Sequence, residues 1–258
     1  MRLTFLGTGT SFGVPQIGCP CAVCASTDPR DKRTRCGAVI ESPAGTRLLF
    51  DTPPELRLQA IACGIDRIDA VFFTHDHADH IHGIDDLRAF TVRQRGALPM
   101  YGPPETLRRL HERFRYIFDD GMQPLPGTSK PEGTARPIED GDSVRVGDVE
   151  VQAIAVPHGL VRVFGYRVGP VAYVTDAKTV PVETVDRLRG VEVLVLNALF
   201  HKAHPTHLSI SDAVSVAQQV GARRTYLTHL THENFHAALE AELPAGIAPA
   251  YDGLVVDC

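Results

Sequence analysis

Short apolar runs rich in β-branched and aromatic residues recur along the chain, with Gly, Pro, Asn and Asp between them. That texture predicts strands. The expected strands are 3–6, 38–41, 47–50, 70–74, 98–101, 143–146, 149–156, 162–168, 171–175, 191–196 and 224–228, with strand-like pieces at 248–251 and 254–257. Helical spacing is expected between them. Pro53-Pro54 opens a helix to about Ala62 that stops near Gly64, and 84–93 gives another. Pro103-Pro104 starts a third, to about Phe118, followed by 180–189, 209–220 and 235–242. Residues 121–142 are rich in Pro, Gly, Ser and Thr without periodicity, which predicts a surface loop.

A polar side chain follows the end of strand after strand: Asp51, His75, His158, Asp176 and His229. Two sheets packed face to face, with helices outside and these residues along one edge, would account for the pattern. Because the residues span both halves, 1–258 is read as a single domain of α+β class.

The densest chemistry is His75-Asp76-His77-Ala78-Asp79-His80, directly after the apolar run 68–74. Imidazole nitrogens and carboxylate oxygens gathered at a strand end suit a divalent cation such as Zn²⁺, Mn²⁺ or Fe²⁺. One ion rarely uses so many donors, so two are expected. A lone histidine would more often be structural; this spacing after a buried strand reverses that. Asp51 and Asp76 are candidates to orient ring N–H groups, although a turn residue facing water is an equal reading of Asp76.

Composition adds little and excludes some classes. The chain has 258 residues, 43% hydrophobic and 22% charged, with net charge −5. That balance offers no basic field for a long nucleic acid. No run has membrane-spanning length and the first residues lack a signal-peptide core, so a cytoplasmic protein is expected. In that compartment the six cysteines point to metal rather than disulfides. Cys19, Cys21 and Cys24 form Cys-x-Cys-x-x-Cys in a Gly- and Pro-bearing loop at about 13–36, where three thiolates can wrap one structural Zn²⁺ that needs a fourth ligand. Cys36, Cys63 and Cys258 read as packing residues.

His75-x-His77-x-Asp79-His80, then His158, Asp176 and His229, resembles the ordered ligand set of metallo-β-lactamase-fold hydrolases over nearly the whole chain. The resemblance implies a four-layer αββα sandwich. It implies a first metal at His75, His77 and His158, a second at Asp79, His80 and His229, and Asp176 bridging them. Asp51 resembles the aspartate that supports the ligand loop. Further residues resemble the PhnP-type phosphodiesterases of the carbon–phosphorus lyase pathway. These are the three cysteines with His232, Phe164-Gly165-Tyr166, His207, the opening Gly7-Thr8-Gly9-Thr10 and the closing Asp252-Gly253. By that resemblance His232 is the fourth zinc ligand and His207 an active-site histidine. Between Arg33 and Arg88 the chain looks closer to a broader group of bacterial hydrolases. His201 and His204, on the same loop as His207, are read as surface residues.

The function expected is hydrolysis of a small or cyclic phosphodiester, of 2′,3′-cyclic nucleotide or ribose cyclic phosphate type. Hydroxide held between two metals would attack phosphorus, Asp79 and Asp176 would balance charge, and His207 would assist the leaving oxygen. The alternatives are carbon-ester hydrolysis of a lactone or thioester and, ranked lower, tRNA 3′-end processing. The expected partner is a small phosphodiester or nucleotide, with no membrane; a homodimer is left open.

Overall fold

The computed structural model describes residues 1–119 and 121–258. Among the described residues, fourteen strands form two seven-stranded sheets. The first contains β1 (Arg2–Gly7), β2 (Gly37–Glu41), β3 (Arg47–Phe50), β4 (Ala70–Phe72), β5 (Leu98–Gly102), β6 (Gly133–Pro137) and the last strand, Val255–Asp257. The second contains β7 (Ser143–Val146), β8 (Val149–His158), β9 (Val161–Val168), β10 (Val171–Val174), β11 (Val193–Asn197), β12 (Arg224–Thr228) and β13 (Ile247–Pro249); Val255–Asp257 is β14. Their orders are β14-β1-β2-β3-β4-β5-β6 and β13-β12-β11-β10-β9-β8-β7.

Period-two alternation builds the layers. Leu48 and Phe50 of β3 and Val171 and Tyr173 of β10 point into the cluster between the sheets. Their neighbour Leu49 instead joins the outer cluster with Leu56, Leu87 and Leu107. Ala172 and Val174 join Val185, Leu188, Ala213 and Val216 on the far side. Helices Leu56–Ala62, Arg88–Gln94 and Pro104–Arg113 thus cover one sheet, and Val182–Leu188 and Ile210–Val220 the other. The result is the four-layer αββα sandwich. Among the described residues, no helix is long and apolar enough to cross a membrane.

Both sheets switch from antiparallel to parallel at one strand. In the first, β14, β1, β2 and β3 pair antiparallel, and β3 to β6 pair parallel. In the second, β7 to β10 pair antiparallel and β10 to β13 parallel. Carboxyl ends of strands in open α/β sheets are where ligands gather.

Three expectations need correction. Residues 121–142 are not all loop, because β6 pairs with β5 as the edge of the first sheet. Four of its five residues are exposed, so no apolar alternation betrays it. The helix expected to run to Phe118 breaks at Phe114, giving Pro104–Arg113 and Arg115–Phe118. The strand expected at 248–251 is Ile247–Pro249.

Candidate metal centre

The ends of five strands, one of them the antiparallel β8, bring the predicted residues to one edge. Asp51 follows β3, His75 to His80 follow β4, His158 ends β8, Asp176 follows β10 and His229 follows β12. His80, Asp51, Asp176 and His229 are buried at 0–2% exposure, whereas His77 is exposed. Donor atoms of His75, His77, His158 and Asp176 lie within 4.8 Å of one another, and so do those of Asp79, His80 and His229.

Asp176 joins the two groups. Its Oδ2 lies 3.7 Å from His75 Nε2, 4.0 Å from His158 Nε2 and 3.5 Å from His80 Nε2. Its Oδ1 lies 3.4 Å from His229 Nε2. Asp79 Oδ2 is 3.5 Å from His80 Nε2 and 3.7 Å from His229 Nε2.

A buried ring nitrogen without a hydrogen-bond partner is costly. Here His80 Nε2 and both nitrogens of His229 are in that position. Cations between the carboxylates and the Nε2 atoms of His80 and His229 would satisfy those two nitrogens, so the donor set fits two divalent ions. Electrostatics agree. Burial opposes ionisation of Asp176, but His229 and His80 outweigh it and hold the carboxyl well below the usual range. Asp79 is likewise held low, against burial, by His80 and His229. Burial pushes His75 well below the ordinary histidine range, so its ring stays neutral and able to coordinate.

The orienting bonds come from behind the edge. Asp51 is fully buried and accepts from the backbone N–H of Thr74 (2.8 Å), the Thr74 hydroxyl (2.9 Å) and His80 Nδ1 (2.7 Å). That leaves Nε2 of His80 facing Asp176 and Asp79. His158 Nδ1 donates to the carbonyl of Thr206 at 2.8 Å, turning Nε2 inward. Asn197 brackets the residue after Asp176: its side-chain oxygen accepts from Ala177 N (2.7 Å) and its amide donates to Ala177 O (3.0 Å). Gly83 closes the ligand segment against Pro53, where an added Cβ would lie 2.0 Å from the Pro53 carbonyl oxygen.

His207 reaches the same edge, with Nε2 3.3 Å from Asp176 Oδ2 and its ring stacked on His229 at 4.8 Å between centroids. Asp76 does not orient a ligand ring; it pairs with Arg109 (3.2 Å) and Arg113 (2.9 Å), outside the cluster. His201 is exposed, as expected. His204 is not simply on the surface. It is half-buried, with Nδ1 3.3 Å from His207 Nδ1 and 3.2 Å from the Thr206 hydroxyl.

The cysteine loop forms a second cluster. Sγ of Cys19, Cys21 and Cys24 lie 3.3, 3.5 and 3.6 Å from His232 Nδ1. The N···S edge of a tetrahedral zinc site, from its bond lengths, is about 3.5 Å. Backbone N–H groups of Cys24 and Gln16 donate to the sulfurs of Cys21 and Cys24. The Cys24 N–H, ahead of smaller opposing burial, lowers the Cys21 thiol to about 6. Burial pushes the Cys24 thiol up instead, but three sulfurs gathered around one imidazole, one of them biased toward thiolate, fit Zn²⁺. Cys36 is a packing residue: burial pushes its thiol up to about 12.

Sequence reasoning missed Thr74, Thr206, Asn197 and the inward side of His204. A signal for the threonines was present, since Thr stands directly before His75, Asp176, His207 and His229.

Comparison with known proteins follows the same lines. A family model described as a beta-lactamase superfamily domain matches residues 46–230. The crystal structure of a diphosphatase from the PhnP family superposes with TM-score 0.90 at 39% identity, covering 100% of this chain and 97% of that one. An octanoyltransferase of Porphyromonas gingivalis is 39% identical over 98% of the chain. The chain spans about half of that protein's length, 51%. Ribonuclease Z of Myxococcus xanthus aligns at 24% identity over 100% of the chain and 97% of its own length. With the family model covering most of the strands whose ends carry these donors, and the diphosphatase matching end to end, the chain belongs to the beta-lactamase superfamily and, within it, to the PhnP family.

Proposed function

We propose that this hydrolase cleaves small or cyclic phosphodiesters, using two divalent cations at the strand-end cluster and one structural zinc in the cysteine loop. One observation carries the reading. Two groups of donors, most of them buried, meet at the single carboxylate of Asp176, and the inward-facing Nε2 atoms of His80 and His229 lack any hydrogen-bond partner. His75, His77 and His158 would hold one cation, Asp79, His80 and His229 the other, and Asp176 both. When bound, such a pair supplies Lewis acidity and a nucleophile from water at neutral pH.

The chain's own groups do the rest. Neutral imidazoles hold the cations without cancelling their charge, and two carboxylates leave the centre electropositive toward an anionic diester. Burial holds His207 below the ordinary histidine range against the pull of Asp176, so the ring is neutral near pH 7. Its Nε2–H donates to Asp176 and, with substrate present, is placed to donate to a leaving oxygen. The Thr206 hydroxyl, 2.8 Å from His207 Nδ1, fixes the ring's orientation. The names of two relatives, a diphosphatase and a ribonuclease, support chemistry at phosphorus.

The test is hydrolysis of bis(p-nitrophenyl) phosphate and 2′,3′-cyclic nucleotides beside a thioester and lactone panel, with Mn²⁺ or Zn²⁺ supplied. Metal-dependent turnover of diesters above the carbon esters is expected. Preference for the carbon esters would replace the reading.

A further inference from the structure

Between the catalytic edge and the cysteine cluster lies a cavity of ≈ 210 Å³, lined by residues that include Phe12, Gln16, Phe200, His204, His207 and His229. Sites for whole drug-sized ligands run to about 300–1,000 Å³, so this one suits a single ring system of a larger molecule. Its lining is rich in aromatic rings. The Phe200 ring meets His204 edge-on at 5.9 Å, His204 meets His207 at 5.2 Å, and His207 stacks on His229. An aromatic wall thus runs from the cavity to the catalytic edge. Phe12 is 70% exposed. Exposure alone would carry nothing, because single surface apolar residues are common. What matters is that Phe12 lines the cavity that Phe200 lines.

Both walls are fixed. On the Phe12 side, Gly13 N donates to Thr10 O (2.8 Å), Gly9 N to Thr34 O (2.7 Å) and Leu230 N to Thr8 O (2.9 Å). The last bond ties this loop to the residue after His229. On the other side, the Phe200 carbonyl accepts from Ile210 N (3.0 Å), and the Leu199 carbonyl accepts from Thr231 N (3.2 Å) and Asn234 Nδ2 (2.8 Å). A rigid slot with π faces, next to groups that would handle a phosphodiester, has one natural occupant.

We infer that this cavity is a subsite for a planar aromatic ring of the substrate, a nucleobase, held against Phe12 and Phe200 while the phosphate lies at the catalytic edge. The inference rests on the phosphodiesterase reading and narrows it to nucleotide diesters. Base–aromatic stacking is sequence-tolerant, and alanine replacement of such a ring weakens binding by about fivefold to a hundredfold or more.

The test is calorimetric binding to the full metal-loaded chain, which does not depend on turnover. The probes are adenosine 3′-monophosphate and ribose 5-phosphate, both monoesters. The wild-type chain should bind the nucleotide at least about fivefold more tightly than the sugar phosphate. Phe12→Ala and Phe200→Ala should each remove most of that preference, and Phe12→Trp should keep it. Melting curves identify a variant that fails to fold, and Phe12, on an exposed loop, is the safer of the two. Equal affinity for the two probes in the wild-type chain would overturn the inference, as would variants that weaken both probes alike. So would a Phe12→Ala chain with unchanged nucleotide affinity and altered sedimentation, which would make Phe12 part of a contact between copies. The diester assay above fails or succeeds separately: base-dependent binding without diester turnover sinks the functional reading, and turnover without base-dependent binding sinks this one.

Discussion

Asp51, Asp176 and His229 share a backbone conformation that non-glycine residues seldom adopt, with φ of 60°, 60° and 58°. Asp51 and His229 stand directly after β3 and β12, and Asp176 two residues beyond the end of β10. Strain of this kind persists where surrounding bonds over-determine it, and here buried hydrogen bonds around Asp51 and beside Asp176 do so. Which residues gather at this edge was legible from their types and order. That three of them sit in left-handed backbone was not, because Asp and His, though enriched there, adopt it in only a minority of cases and no local signal marks the turn. Nor could spacing decide between Asp51 and Asp76 as the orienting carboxylate; only the fold shows that Arg109 and Arg113 draw Asp76 away. Two outcomes follow at this scale. Asp51→Asn should weaken metal affinity by roughly 10–100-fold, read by competition with a chromophoric chelator, because His80 loses the partner that orients it. His207→Ala should lower kcat on diesters by roughly 10²–10⁴-fold with metal content unchanged. Loss of metal from that variant would make His207 a ligand rather than a proton donor.

At the level of elements, β3 and β10 hold equivalent positions in the two sheets, and Asp51 and Asp176 follow them. One aspartate braces a ligand from behind and the other faces the cluster. The chain shows no internal repeat in its residues, so this correspondence exists only in the topology. Apolar strands and proline-initiated helices were readable because their patterns are local. The edge strand β6 was not, since its pairing partner β5 supplies what its own residues do not. The helix expected at 209–220 was readable, and Ser209 is its cap. It begins helix Ile210–Val220 two residues after His207, and its side chain accepts from Asp212 N in a full capping box. Ser209→Ala should cost about 1 kcal/mol in a urea titration. Because the cap lies beside His207, a fall in kcat larger than the loss of folded protein explains is also expected.

Across the whole molecule, the core between the sheets and the cysteine loop stand at opposite ends of local packing. Phe50 sits between the sheets at 0% exposure, within 5.5–5.6 Å of the rings of Phe72, Tyr166 and Tyr173. Phe50→Ala should cost about 3–5 kcal/mol through the cavity it leaves. The cysteine loop packs only a small cluster of its own, Val14, Val23 and Cys24. Its order therefore depends on what holds the three sulfurs to His232. A zinc ion present at about a hundredfold its dissociation constant adds about 2.7 kcal/mol, which in a chain of this size raises Tm by about 5–10 °C. Stripping it, or making Cys21→Ser, should lower Tm by that amount and loosen the loop that carries Gln16 into the aromatic cavity. The most direct test of the paired cationic centre is an anomalous difference map from crystals grown with excess Mn²⁺ and Zn²⁺. Two peaks among the side chains of His75, His77, Asp79, His80, His158, Asp176 and His229, with a third between the cysteines and His232, are the result expected. A map with no peak among those seven residues under metal-rich conditions would contradict the account.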